Sequence, residues 1–260
     1  MVLQFLRGLF GSKADRRPPG GRIREYPEEL PPYALPDYGG DAFEAILEHV
    51  QRHIGPTHEV LHERISNTVH IDILPVPPSE AQPFWTFVTS GMSDRPMSAP
   101  KGAEAWRHGE LLIRLPADWP VPEPGDQAMS AWRDPRAYWP IRILEMLAPF
   151  PHLYRSWIWT GHTLELGPPE DMAPGSSFTT VLLMPPRTLP EDFRTLQVSP
   201  DRTIHFLTVI PLCREEADFK IGRGLDALVD LFPDDPAEVE VIHVDRPNFA
   251  AGLSPLPPED

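Results

Sequence analysis

The sequence predicts an α+β fold: a mixed, largely antiparallel β-sheet flanked by a few helices and closed into a single domain. Three observations lead there. Segments with strand character outnumber helical ones and do not alternate with them, which argues against a parallel βαβ architecture. The chain has 260 residues, 41% of them hydrophobic, enough to close one sizeable core. Proline is the compositional outlier, with 35 residues gathered at both ends and between apolar runs, so the elements are expected to be short and joined by stiff loops.

Residues 1–40 are expected to form a flexible Pro/Gly-rich tail or strap, 41–250 the domain, and 251–260 a disordered tail. In "DAFEAILEHVQRHIG", Asp41 stands where a helix cap belongs. Phe43, Ile46, Leu47, Val50 and Ile54 fall on one face, and Gly55 with Pro56 ends the helix. Beyond Pro56 the period changes. Val69, Ile71 and Ile73 alternate with His70, Asp72 and Leu74 in "TVHIDILPVPP", a strand stopped by prolines and preceded by a turn at Ser66 and Asn67. Further strands are expected at "FWTFVTSG", "GELLIRLP", "GHTLELG", "SFTTVLLMPP", "IHFLTVIPL" and "VEVIHV". Two more helices are expected over 140–147, with Pro140 at the first helical position, and over roughly 224–232.

Charge narrows the functional classes. Lys and Arg total 23 against 38 Asp and Glu, a formal charge of −15, so the long-range field repels nucleic acids and anionic lipid. No run is long and apolar enough for a membrane span. The balance is uneven, with six basic groups and one acidic in residues 1–24, and seven acidic and one basic in 233–260. A basic partner would therefore meet an attractive surface. Cys213 is alone, which excludes an internal disulfide and suits a cytoplasmic location; it follows an apolar run, where a buried thiol is expected.

Several motifs carry possible chemistry. "HEVLH", residues 58–62, spells H-E-x-x-H, in which His58 and His62 would hold zinc and Glu59 would act as base in a zinc-dependent hydrolase. That rival reading needs both imidazoles on one helical face. The stop signal at Gly55 and Pro56 instead makes the segment the first arm of a hairpin with "TVHIDIL", so no metal and no cofactor are expected. His49 and His53 share a helical spacing, but Glu48 and Arg52 beside them mark a solvated face. "GRGLDA" has the G-x-G-x-x-A shape of a dinucleotide cradle, yet "CREEADF" before it is charged rather than strand-like, so Gly222 and Gly224 are expected to make a turn that lets a helix start. "SAPK", residues 98–101, has an acyl-transfer spacing that Pro100 keeps out of a regular helix. Neighbouring acids, Glu215 with Glu216 and Asp234 with Asp235, diverge on any regular element. No catalytic constellation is left, and the chain is expected not to be an enzyme.

What stands out is "PFWTFVTSGMSDRPM", a strand running into a corner where Gly91 permits a sharp turn and Ser93 and Asp94 can bond back to free amides. With "GELLIRLP", "YWP", "WTGHTLEL", "FLTVIPLCREE", "GLDALVDLF" and "VDRPNF" following in that order, the chain resembles the suppressor of fused domain over roughly residues 41 to 250, in the compact single-domain form found in bacteria. The resemblance implies an α+β fold that works by binding other proteins, without cofactor or catalysis. Animal relatives sequester a transcription factor, partly by pairing an extended peptide with their strands. "SAPKGAEAWRH" departs from the animal pattern, so no peptide-contact residue carries over. Bacterial relatives are similar to immunity proteins that neutralise a toxin, and the acidic charge suits a basic one; a regulatory scaffold without a toxin is the other possibility. The partner-facing residues expected on this basis are Ser93, Asp94 and Arg95 in the turn, Glu215 and Glu216 in "CREE", and Asp245 and Arg246 in "VDRP".

Overall fold

A computed structural model describes residues 42–62, 68–121, 134–168 and 173–255. The N-terminal strap, the Asp41 cap and the turn at Ser66 and Asn67 lie outside them. Among the described residues eight strands form one sheet: β1 (Leu61–His62), β2 (Asp72–Val76), β3 (Phe84–Ser90), β4 (Gly109–Pro116), β5 (Thr163–Glu165), β6 (Phe178–Met184), β7 (Thr195–Ser199) and β8 (Arg202–Cys213). Their order across the sheet is β1-β2-β3-β4-β8-β6-β5, with β7 also paired to β8. Every pair is antiparallel except β4 with β8. The sheet is thus mixed and mostly antiparallel, in an α+β arrangement.

Helices cover both faces, and this explains why strands such as "GELLIRLP" are apolar almost throughout rather than alternating. On one face Leu111, Ile113 and Leu115 of β4 join Phe87 of β3 beneath Trp139, Ile143 and Leu147 of helix α2 (Pro135–Leu147). On the other, Leu112 of β4 packs with Leu74, Val88 and Phe206 against Ile46 and Val50 of α1 (Phe43–His53). A third cluster sets Leu182, Ile210 and Leu212 against the C-terminal helices, α4 (Arg214–Arg223), α5 (Leu225–Val229) and α6 (Ala237–Glu240). The short α3 (Phe150–Leu153) follows α2.

Four local readings need correction. Helix α2 begins at Pro135, five residues before the expected start, because the Asp134 carboxylate accepts the Arg136 N–H at 2.9 Å and caps it. Pro140 therefore lies inside the helix, where burial of the adjacent Trp139 and Ile141 outweighs the missing backbone donor. "VEVIHV" is not a strand: α6 occupies its first residues, and only Val241 bridges to Arg114. His49 is not on a solvated face, being buried between the rings of Phe193 and Phe206 with its Nε2–H donating to the Phe193 carbonyl at 2.9 Å. Gly222 sits within α4 rather than in a turn before a helix, and it faces Pro255 so closely that a Cβ there would lie 1.9 Å from the Pro255 carbonyl oxygen.

Three elements, α3, α4 and β7, had no expectation attached. "REEADFKIGR" is helical because Cys213 ends β8 at a capping position and Glu216, three residues on, accepts the Cys213 N–H at 2.7 Å. β7 forms a half-exposed hairpin arm on β8. Residues 251–255, the described part of the expected C-terminal tail, lie along α4, where Arg223 Nε donates to the Ser254 carbonyl at 2.9 Å.

Candidate interaction surface

At one end of the sheet, the exits of β1 and β3 meet the entries of β2, β4 and β8. The turn after β3 is built there. Gly91 has φ +117°, and a Cβ on it would lie 1.9 Å from the His70 carbonyl oxygen, so the corner requires glycine. Beneath it is Glu110 of β4. Its carboxylate accepts the N–H groups of Gly91 and Ser93 at 3.0 and 2.9 Å and the Thr89 hydroxyl at 2.6 Å. His108 Nδ1–H and an Arg202 Nη2–H donate to the Ser93 carbonyl, His152 Nε2–H donates to that of Met92, and Arg202 also pairs with Asp94 at 3.2 Å. The turn is held from β4, α3 and β8 at once.

Sequence reasoning found the turn but not its supports. Glu110 opens an apolar strand and was indistinguishable from an end-of-strand surface charge. Burial pushes its carboxyl up to about 7, outweighing the donors that favour the ionised form. The folded state binds this proton more tightly than the unfolded chain, so the stabilisation is complete below about 4.5 and is lost as pH rises through about 7. Burial lowers the proton affinity of His108, His152 and His205, which therefore act in the opposite direction. Comparison with Glu110→Gln isolates the carboxyl. Urea unfolding from about pH 4.5 to about pH 8 is expected to show the variant gaining about 3 kcal/mol relative to the native chain; a constant difference would mean that Glu110 does not titrate there.

The expected partner-facing residues divide by exposure. Arg95, Glu215 and Asp245 are exposed and Asp94 is half-buried, whereas Ser93 is fully buried. The side chains of Glu216 and Arg246 are 0% and 4% exposed and grip each other at 2.7 Å, so this pair is directed into the fold. Buried Cys213, its thiol pushed up to about 11 chiefly by burial, is a poor nucleophile.

Residues 58–62 are not helical and end in β1, with α1 closed by Ile54 N–H bonding to Val50 and Gly55 at φ +152°. The two histidines of "HEVLH" diverge: the His58 ring stands edge-on to Trp85 with centroids 5.6 Å apart, and His62 Nδ1 is 2.9 Å from Asp72. A zincin arrangement is not formed. Among the described residues no helix is long and apolar enough to cross a membrane.

Comparison with known proteins supplies the wider context. The family model for suppressor of fused protein (SUFU) matches residues 67–247. A search of curated proteins returns no match. Among solved structures, a suppressor of fused homolog from Neisseria gonorrhoeae superposes with a TM-score of 0.58 at 19% identity, covering 81% of this chain and 98% of that one. A chain of the Sufu–Fu complex superposes with a TM-score of 0.57 at 14% identity, covering 82% and 93%.

Proposed function

The chain belongs to the suppressor of fused family, and from that premise we propose that it is a non-catalytic protein-binding module of the immunity type, neutralising a basic toxin by direct contact. The observation that carries the reading is the concentration of charge on the C-terminal helical layer. Glu215, Asp218, Asp226, Asp230, Asp235 and Asp245 are all exposed there, in a chain of net charge −15. Such a surface accelerates encounter with a cationic partner and excludes acidic ones. The Sufu–Fu complex places the same fold in a protein assembly in that relative. A lone, unreactive thiol suits the reducing cytoplasm, where an immunity protein of this kind acts.

The test is co-expression with a basic, growth-inhibiting protein encoded beside its own gene. The chain is expected to restore growth and to form a complex that weakens as salt rises, because exposed charges are screened beyond about 10 Å at 0.1 M salt. Joint reversal of Asp218, Asp226 and Asp230 to lysine, all exposed, is expected to weaken the complex at least tenfold at low salt. Absence of both rescue and complex would refute the proposal. A complex with a harmless partner would favour a regulatory scaffold.

A further inference from the structure

We propose that His62, His70 and Asp72 form a binding site for one divalent transition-metal ion of the zinc class, at the β1 edge of the sheet. The site is set by register. His62 lies directly opposite Asp72 in the β1–β2 pair, and His70 is two residues before Asp72. Cross-strand partners share a face of a sheet, as do residues two apart along an extended chain, so three donors from two chain segments converge.

The atoms bear this out. Nδ1 of His62 lies 2.9 Å and Nε2 of His70 3.0 Å from Oδ1 of Asp72, and all three donor atoms fall within 4.8 Å of one another. Tetrahedral zinc with bonds of about 2.0–2.1 Å keeps its ligand atoms roughly 3.4 Å apart, so modest side-chain rotation closes the tripod. Two imidazoles and a carboxylate suit zinc and its neighbours rather than calcium or magnesium. Exposure is graded: the Asp72 side chain is 12% exposed, His70 24% and His62 66%. The carboxylate is the most enclosed of the three donors and His62 the most exposed, so an ion would be reached from the His62 side.

The mechanical consequence concerns an edge. Among the described residues β1 meets the sheet through two residue pairs, with the His58 N–H also donating to the Pro75 carbonyl at 2.7 Å, beside the Gly91 corner that packs on the His70 carbonyl. An ion shared by His62 and the two β2-side ligands would tie that strand down. This inference is independent of the toxin reading. It also departs from the H-E-x-x-H pattern, because His58 has no part in it.

Without metal, the same contacts form a carboxylate hydrogen-bonded by two imidazoles, and the experiment separates the two. The metal-free full chain is titrated with Zn²⁺ by calorimetry, and with Co²⁺ for its visible absorption. Expected are one equivalent bound, the intense bands of four-coordinate cobalt, and a Tm that rises with zinc. His62→Ala, at an exposed position, and the near-isosteric Asp72→Asn should each weaken binding at least tenfold, while His58→Ala leaves it unchanged. The proposal is overturned by a chain that takes up no ion saturably at micromolar zinc, by one equivalent retained in both His62→Ala and Asp72→Asn, or by loss of binding in His58→Ala.

Discussion

Replacing Glu216 by alanine is expected to destabilise the protein by about 3–5 kcal/mol, the cost of leaving a buried cation without its counter-charge. Arg246 reaches Glu216 with both terminal nitrogens at 2.7 Å and is enclosed by the rings of Phe178 and Phe249, whose centroids lie 5.0 and 4.9 Å from its guanidinium. The same carboxylate accepts the N–H groups of Cys213 and Phe249, so it caps α4 and fixes the C-terminal segment as well. Arg246 also donates to the carbonyls of Pro211 and Pro247. Both carboxylate oxygens and both terminal guanidinium nitrogens of the pair are answered, a condition under which a buried ion pair holds without net penalty. Arg246→Lys is expected to lose much of the same stability, since an ammonium cannot reproduce the two-pronged contact. Urea denaturation checks both; a loss below about 1 kcal/mol for Glu216→Ala would show that the pair is screened by water.

The second large effect is expected at Glu240, again about 3–5 kcal/mol for alanine, and here the two partners are unequal. Arg114 is fully buried in β4 and donates to Glu240 from Nη1 at 2.9 Å; burial pulls the guanidinium down to about 10 despite that neighbour. Glu240 is better supplied, accepting the N–H groups of Arg187 and Thr188 at 2.7 and 3.1 Å and the Thr188 hydroxyl at 2.7 Å. Removing Glu240 strands a buried cation, whereas removing Arg114 leaves a carboxylate with three donors. Glu240→Ala should therefore cost clearly more than Arg114→Met, whose side chain also fills the vacated space beside Phe84. Equal costs in a double-mutant cycle would contradict this account.

These two pairs show where sequence reasoning stopped. "CREE" and "VDRP" stand out as charged strings at the ends of elements, and a charge at an element's end is ordinarily solvated. Glu216 and Arg246 are 30 residues apart and Arg114 and Glu240 126 apart, so nothing in either neighbourhood reveals the partner. His49 misled for the same reason: its flanks are polar, and the rings that enclose it arrive from residues 193 and 206. Pro140 misled differently, because a strong local preference for helix starts gave way to the burial of its neighbours. The hairpin after Pro56, by contrast, was legible, since the stop signal and the change from period 3.6 to period 2 are both local.

What the sequence determined by itself is what short-range physics enforces: the α+β class, most strand positions, the end of α1, the glycine corner at Gly91 and the acidic bias of the chain. Only the tertiary structure decided which charges turn inward and which histidines meet. A carboxylate or guanidinium enters a core only when a partner offsets its lost hydration. Where that partner sits is a property of strand order and register, and these bring His62 opposite Asp72 and Glu110 beneath a turn nineteen residues away.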